Sequence, residues 1–236
     1  MLDISNLSKR FGKLSALDDI SLTMNRGRTI SLVGPNGSGK TTLIKCILGL
    51  VLPDQGSLRL EGKEVLSQWN YRHKIGYMPQ IGRYPDNMKI FQVLDMIRDI
   101  RKKGSTDEEL IEAFDIPKIA DKSMRSLSGG TRQKVSACLA FLFDPEMLIL
   151  DEPTAGLDPL ASEILKDKIT REKKKGKLIL ISSHILSDLE ELTDDVLYLI
   201  DGKIRLYQSV EALKANTGEQ TLNKSIAHIM KEDIIN

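Results

Sequence analysis

The stretch between positions 34 and 41 has the residue types of a loop that binds phosphate. It matches the pattern G-x-x-x-x-G-K-[ST] at every fixed position. Glycines let the backbone curve until several N–H groups point at one anion, and a helix that follows adds the positive end of its dipole. The chemistry predicted here is the binding of a nucleoside triphosphate. The residues are Gly34, Pro35, Asn36, Gly37, Ser38, Gly39, Lys40 and Thr41.

The end of this loop supplies the groups that act on the phosphates. Lys40 is a candidate catalytic residue that neutralises charge on the β- and γ-phosphates, and the Thr41 hydroxyl is predicted to ligate Mg²⁺. Thr42 lies within reach of the α-phosphate. A glycine-rich turn that arose by chance is the alternative. The context disfavours it, because an apolar strand predicted over Thr29–Val33 precedes the loop and a helix predicted over 41–50 follows it.

An acidic pair forms the second candidate group. Asp151 and Glu152 follow the apolar run 147–150, which is predicted to be a strand. Asp151 is placed to anchor Mg²⁺ through water. Glu152 would face the γ-phosphate and polarise the attacking water as a general base. Acidic residues often end strands without a catalytic role, but the pairing with the loop at Gly34 favours catalysis.

A third stretch, between those two, carries a resemblance to a known family. Residues 127–130 read Leu-Ser-Gly-Gly and are followed by a basic helix. In this position the stretch is similar to the signature of the ABC ATPases. Ser128, Gly129 and Gly130 would form a second anion site at a helix N-terminus, without a lysine of its own. The resemblance implies that this surface caps the γ-phosphate of ATP bound to a second copy, so a homodimer is expected.

Other residues resemble ABC ATPase motifs in the same order. Phe11 resembles the aromatic residue that stacks on adenine, with core packing as its alternative. Gln80 resembles the glutamine that reaches Mg²⁺ and the attacking water. Asp158 lies in a segment similar to the D-loop, which packs across the dimer. His184 resembles the switch histidine that contacts the γ-phosphate, and the resemblance therefore implies a catalytic role for it.

The resemblance covers about residues 2–208 and has one departure. Thr131 stands in the signature where many relatives carry Gln. It lies past the glycines, so we expect nucleotide binding to be kept. We expect any effect of Thr131 to be on communication between the two copies of the dimer.

Periodicity predicts the elements that position these residues. Apolar residues alternate over the first thirty positions, which favours half-buried antiparallel strands. A helical pattern runs from 90 to about 120, broken at 103–106, where Thr106 is a plausible helix start. Strands alternating with helices after it imply a largely parallel sheet. The further predicted elements are short strands within 58–78, strands over 178–181 and 196–200, and a helix over 160–174.

Together with the resemblance, these predictions imply an α/β fold of the P-loop NTPase (ABC ATPase) type. It would have a RecA-like core with a parallel sheet, an antiparallel β subdomain and a helical insert subdomain. We expect one ABC ATPase domain over residues 1–208, with the insert at about 81–140. Residues 209–236 are predicted to form a C-terminal helical tail.

Composition limits the partners. The 236 residues have a net charge of +1, which gives no electrostatic reason to expect nucleic acid. Cys46 and Cys138 are expected to be reduced, buried thiols, and the eight methionines to fill the core. The sequence has neither a secretory signal nor an apolar run that could span a bilayer. Together with these absences, the resemblance to ABC ATPases implies a peripheral protein on the cytoplasmic face of the inner membrane, beneath separate permease subunits.

Two further stretches of sequence indicate which branch of the family the chain resembles. The sequence 217–222 resembles the TGE-x-TL ending of exporter-type subunits, and residues 128–143 are most similar to NosF-type ATPases of the copper-processing complex for nitrous oxide reductase. That likeness implies a periplasmic partner that handles copper. Two alternatives remain: an ABC-type switch ATPase that acts on a soluble partner without transport, and a P-loop kinase. The kinase would leave residues 127–130 unexplained.

Overall fold

The chain forms two compact units, and the second lies within the sequence of the first. The computed structural model describes residues 1–101, 106–183 and 190–235. The first unit combines Met1–Tyr71 with Leu180–Asn236, and the second is Arg72–Ile179. The strands are β1 (Leu2–Phe11), β2 (Leu14–Met24), β3 (Thr29–Val33), β4 (Gln55–Leu60), β5 (Lys63–Glu64), β6 (Ile75–Met78), β7 (Met147–Asp151), β8 (Leu178–Ser182), β9 (Asp195–Ile200) and β10 (Lys203–Ser209). The α-helices are α1 (Lys40–Ile47), α2 (Ile90–Arg101), α3 (Glu109–Ala113), α4 (Gly129–Phe141), α5 (Pro159–Lys174), α6 (Val210–Thr217) and α7 (Leu222–Ile235).

The first unit contains a four-stranded sheet with the order β2-β1-β4-β5. Strand β1 pairs antiparallel with both neighbours, so the predicted antiparallel sheet is confirmed. Leu2 and Ile4 are buried at the spacing of two that a half-buried strand requires. The register then shifts before Leu7, where Asn6 adopts a φ of 50°. This irregularity returns Leu7 to the buried face.

In a second sheet, β10, β9, β3 and β8 are neighbours in that order. Strand β3 runs parallel to β9, with Val33 opposite Tyr198, and all five of its residues are buried. Helix α1 follows and ends at Ile47, so the predicted end near residue 50 is wrong. The physical reason is Gly49, whose φ of 64° lies in the left-handed region that ends a helix.

Strands β6 and β7 lie side by side and parallel in the second unit, with Met78 opposite Leu150. The helical pattern predicted up to about residue 120 is only partly confirmed. Helix α2 begins at Ile90 as expected, but α3 has five residues and a 3-10 turn follows at Ile116–Ile119. Asp115 has a φ of 53°, and Pro117 has no N–H to donate, so an α-helix does not continue. Residues 103–105 of the predicted break lie outside the described residues.

A buried lysine joins α5 to the start of α3. The Lys168 side chain is 1% exposed, and its Nζ lies 2.5 Å from Asp107, 2.7 Å from Glu109 and 3.1 Å from Glu172. Burial alone would lower the pKa of Lys168, but hydrogen bonds to the three carboxylates raise it above the ordinary value. Removing one member of such a buried group costs about 3–5 kcal/mol, because the remaining charges lose their partners.

The predicted C-terminal helical tail consists of two helices. The Ser209 side chain accepts a hydrogen bond from the N–H of Ala212 and so caps α6, and Gly218 ends that helix with a φ of 70°. Apolar residues from both helices pack in the core of the first unit. That cluster contains Val33, Val196, Tyr198, Val210, Leu213, Leu222 and Ile226. The domain boundary at residue 208 stays a prediction.

Both cysteines are buried and free of disulfide bonds, as predicted. Burial raises the pKa of the Cys46 thiol to about 11, and it also raises the pKa of Cys138. Within the described ranges, every helix is too short or too polar to cross a bilayer.

Candidate active site

The phosphate loop runs from the end of β3 to the start of α1, as the sequence predicts. Two of its glycines are required by close approach. A Cβ on Gly34 would lie 2.2 Å from the carbonyl oxygen of Leu199, and a Cβ on Gly39 would lie 2.4 Å from that of Ala16. Gly39 also has a φ of 103°, which L-residues rarely adopt. The loop is therefore packed against neighbouring backbone and holds a fixed curvature.

Helix α1 begins with its N–H groups open to a ligand. Its first turn contains Lys40 and no acidic residue, and Gly39 at the cap has no side chain that could accept from the free N–H groups. The Lys40 ammonium donates to the carbonyl oxygens of Gly34, at 2.6 Å, and Pro35, at 2.9 Å. A cation and the positive end of a helix dipole therefore lie in the same loop, which is the electrostatic requirement of a phosphate site.

Ser38 supports a polar ligand at this position. Its side chain is 2% exposed, and within the described part of the chain its Oγ has no hydrogen-bond partner. A buried hydroxyl without a partner is costly unless a ligand or water satisfies it. The neighbouring Thr41 is exposed and Thr42 is half-buried at the start of α1. These hydroxyls fit phosphate oxygens and a hard cation such as Mg²⁺.

Phe11, the predicted adenine-stacking residue, ends strand β1 in the first unit. Its side chain is 49% exposed, and the Lys9 ammonium lies 5.4 Å from the ring centroid. The alternative of core packing is therefore wrong. An exposed aromatic face suits stacking on a base. The stacking itself stays a prediction.

In the second unit, three predicted residues follow neighbouring parallel strands. Gln80 lies two residues beyond β6, while Asp151 ends β7 and Glu152 comes next. The pairing of Met78 with Leu150 places all three at the same edge of the sheet. Burial, and then the negative charge of Asp151, raise the pKa of Tyr77.

Glu152 is held in an unusual backbone conformation. It is 8% exposed and has a φ of 52°, in the left-handed region that non-glycine residues seldom occupy. Its carbonyl oxygen accepts two hydrogen bonds, from the N–H of Ala155 at 3.1 Å and from Nε2 of Gln133 at 3.1 Å. Strained backbone of this kind is concentrated at functional sites.

Gln133 is the residue that sequence reasoning missed. The sequence places it only in the helix that follows residues 127–130, and the structure shows that its side chain is buried in α4. Spacing offers a signal, because Ala137 and Phe141, four and eight residues further on, share the buried face. A polar residue at such a position needs a buried partner, and the partner is the main chain of Glu152.

The signature residues occupy the N-terminus of α4. The Oγ of Ser128 accepts from the N–H of Thr131 at 3.2 Å and lies 2.8 Å from the Thr131 hydroxyl. A Cβ on Gly130 would lie 2.4 Å from the carbonyl oxygen of Gly156, whereas a Cβ on Gly129 would meet no described atom within 4 Å. Gly130 is therefore fixed by packing, and Gly129 leaves the surface open.

Asp158 has two structural contacts. It caps α5 by accepting from the N–H of Ala161 at 2.9 Å, and it pairs with Lys134 of α4 at 2.7 Å. The hydrogen bond from Lys134, followed by that from Ala161, lowers the pKa of Asp158 below its usual value. The contact across a dimer that the sequence predicts for Asp158 stays a prediction.

Two of the three histidines lie within the described residues. His184, the predicted switch histidine, lies outside the described residues. His73 and His228 are exposed.

Comparison with known proteins decides the family. The sequence pattern of the family described as ABC transporter matches residues 17–155. The lantibiotic transport ATP-binding protein SrtF of Streptococcus pyogenes is 34% identical over 234 residues, which cover 94% of this chain and 98% of SrtF. The chain belongs to the ABC transporter family.

A second relative and a solved structure also support membership of the ABC transporter family. The lipopolysaccharide export system ATP-binding protein LptB of Haemophilus influenzae is 32% identical to this ABC ATPase, with 94% of this chain and 93% of LptB covered. The solved structure of an ATP binding subunit of an ABC transporter has a TM-score of 0.88 at 27% identity and covers 98% of this chain and 99% of its own. The predicted fold class and the prediction of an ATPase are confirmed.

Proposed function

We propose that this ABC ATPase acts as a homodimer that closes on two ATP molecules and so drives separate membrane permease subunits. The observation that carries the proposal is a pair of different helix N-termini. The one at α1 has a lysine and open N–H groups, while the one at α4 carries Ser128 and an open Gly129. In the arrangement proposed, each copy presents residues 128–130 to the γ-phosphate of ATP bound at the partner's phosphate loop.

The residues of one copy take separate roles on the nucleotide. Phe11 stacks on adenine, the loop binds the phosphates, and Lys40 stabilises the negative charge that develops between them. Mg²⁺ would be held by Thr41, by Gln80 and, through water, by Asp151, whose oxygen atoms are the ligands this cation prefers. When bound, the cation would neutralise negative charge on the phosphates.

Hydrolysis is assigned to two side chains. Glu152 removes a proton from the attacking water, and its buried position at a strand end supports that role. His184 contacts the γ-phosphate, by its place in the family motif after β8. Hydrolysis then reopens the dimer, and the segment that contains Asp158 transmits the change to the partner.

Transport is proposed to occur through other chains at the cytoplasmic face of the inner membrane. The names of two relatives state lantibiotic transport and lipopolysaccharide export, which supports an exporter-type subunit. These cargoes differ chemically, so cargo is proposed to be set by the permease. A role in copper processing with a periplasmic copper-handling partner stays a prediction from residues 128–143. Among the described residues no cluster of three or more His, Cys, Asp and Glu side chains is placed to hold a metal ion.

The alternative from another class is a switch ATPase that closes on ATP and acts on a soluble partner. Both versions require the same dimer, so they differ only in what the dimer moves. Co-purification with an intact six-helix membrane protein would support transport. Nucleotide-dependent binding to a soluble protein alone would support the switch.

The test of the proposal is the mass of Glu152→Gln in solution, with and without Mg·ATP. Glutamine keeps the shape of the side chain but cannot accept the proton, so ATP should stay bound. We expect a monomer that becomes a dimer when Mg·ATP is added. Adding Ser128→Arg should abolish the dimer, while the matched change Ser5→Arg, on an exposed position of β1, should leave it intact. A Glu152→Gln protein that binds ATP and stays monomeric would contradict the proposed closure of the isolated chain.

A further inference from the structure

The segment 152–158 lies along the first turns of α4, and three contacts hold it there. The carbonyl of Gly156 fits against the Cα of Gly130, where a Cβ would approach it to 2.4 Å. The amide of Gln133 donates to the carbonyl of Glu152 at 3.1 Å. The Lys134 ammonium pairs with the Asp158 carboxylate at 2.7 Å. Movement of α4 is therefore passed directly to this segment.

These contacts differ in their exposure to solvent. Asp158 is exposed, so its ion pair with Lys134 is screened by water and contributes little. Gln133, by contrast, is 5% exposed, and its hydrogen bond to Glu152 is buried. When Gln133 is removed, the Glu152 carbonyl keeps the N–H of Ala155, but no solvent replaces the lost hydrogen bond, so removing the Gln133 contact costs more than removing the exposed ion pair.

The hydrogen bond from Gln133 is accepted by Glu152, whose backbone conformation is strained. With a φ of 52°, Glu152 is in a region that costs a non-glycine residue of order 1–3 kcal/mol unless its surroundings fix it. The N–H of Ala155 and the amide of Gln133 together occupy both acceptor positions of the Glu152 carbonyl. The orientation of the peptide plane after Glu152, and with it the direction of its side chain, is therefore set in part by α4.

We propose that Gln133 is a positioning residue for hydrolysis, which holds the Glu152 main chain in its strained conformation and ties it to the signature helix. The inference rests on the proposed roles of Glu152 and Ser128. Its consequence is a link within one subunit. Residues 128–130 would receive the partner's nucleotide, while Glu152 would act on the subunit's own nucleotide. One helix turn and one hydrogen bond separate the two.

The variant Gln133→Met tests this role in the full-length chain. Methionine has a similar length and fills the same buried space, but it cannot donate to the carbonyl. We expect kcat for ATP hydrolysis to fall about tenfold, because the base is misdirected at the reaction step. KM for ATP should change less than about twofold, because the substitution leaves the residues of the phosphate loop unaltered.

A matched control variant removes a different hydrogen bond to the same helix. The Tyr84 hydroxyl donates to Oγ of Ser136, a buried residue of α4, at 3.1 Å, and Tyr84→Phe removes that hydrogen bond without touching Glu152. Both variants should lower the melting temperature by a similar small amount. Tyr84→Phe should keep kcat within about twofold of the unaltered protein. If Gln133→Met fails to fold, Gln133→Leu removes the same N–H donor with a smaller apolar side chain.

The outcomes separate this inference from the proposed function. If Glu152→Gln abolishes hydrolysis while Gln133→Met keeps kcat within about twofold, the positioning role is overturned and the role of Glu152 stands. A fall in kcat that is equal in Gln133→Met and Tyr84→Phe would also overturn it, because the effect would then be a general loosening of α4. If Glu152→Gln hydrolyses ATP at the unaltered rate, the proposed base is wrong and the inference falls with it.

Discussion

Helices α1 and α4 both begin beside a serine and a glycine, yet the groups around their first turns differ. At α1 the cap is Gly39, the adjoining Ser38 hydroxyl is buried without a described partner, and Lys40 enters the first turn. At α4 the cap is Ser128, whose hydroxyl already accepts from the N–H of Thr131. The first helix therefore offers a cation and open donors, while the second has satisfied part of its own N-terminus.

The difference would let the two proposed anion sites take two functions. Phosphate carries several negative charges, and a site with an ammonium and a helix dipole can bind it within one subunit. A site with the dipole alone attracts an anion more weakly, so we infer that α4 acts on a nucleotide that is already held elsewhere. Binding at α1 and dimer closure at α4 should then be separable by mutation.

The largest effect is expected from Lys40→Ala. Loss of the ammonium removes charge-assisted hydrogen bonds of about 1.5–3 kcal/mol, which corresponds to roughly a tenfold to hundredfold increase in Kd for ATP. Titration calorimetry with ATP measures the change. Lys45→Ala is the matched control, because Lys45 is exposed in the last turn of the same helix. Equal affinities for Lys40→Ala and Lys45→Ala would remove the distinction between the two helices.

The second effect separates packing from ligand contact at α4. A Cβ on Gly130 collides with the Gly156 carbonyl, so Gly130→Ala should lower the free energy of unfolding by about 1–3 kcal/mol. Gly129→Ala meets no described atom and should leave that energy within about 0.5 kcal/mol. Urea unfolding measures both.

The same glycine pair then tests the surface itself. In the Glu152→Gln background, Gly129→Ala should weaken the ATP-dependent dimer, because the added methyl group points to the open surface. A Gly129→Ala protein with unaltered stability and unaltered dimerisation would show that the α4 surface does not take part in closure.

The smallest effect is expected at Thr131. Its hydroxyl lies 2.8 Å from that of Ser128 and orients it. Thr131→Val removes this hydrogen bond at constant shape and should weaken the ATP-dependent dimer of Glu152→Gln by about threefold to tenfold. Thr131→Ser keeps the hydroxyl and should restore the affinity, which analytical ultracentrifugation can measure. Valine and serine variants with the same affinity would mean that the hydroxyl pair has no function in closure.

Local patterns predicted most of the elements because they depend on neighbours in the chain. The alternation around Leu2 and Ile4 indicates β1, and the apolar run Thr29–Val33 indicates β3. The errors have local causes as well. Gly49 ends α1 three residues early, and Asp115 interrupts the helical pattern after α3. The left-handed backbone at each is compatible with the sequence but is not specified by apolar spacing.

The candidate site divides in the same way. The phosphate loop could be predicted from sequence, since a glycine-rich turn between a strand and a helix is formed by consecutive residues. The carboxylates after β7 and the serine at the start of α4 could be placed on their elements for the same reason. The partner of Gln133 could not, because the chain separates it from Glu152 by nineteen residues.

By itself the sequence therefore determined the chemistry: a phosphate loop with Lys40, an acidic pair, and a signature serine at a helix start. Tertiary structure decided which of these residues are mechanically connected. The fit of Gly130 against Gly156 and the hydrogen bond from Gln133 to Glu152 arise only when α4 packs on the segment 152–158. Contacts of this kind depend on the relative placement of elements, which no local pattern of residues encodes.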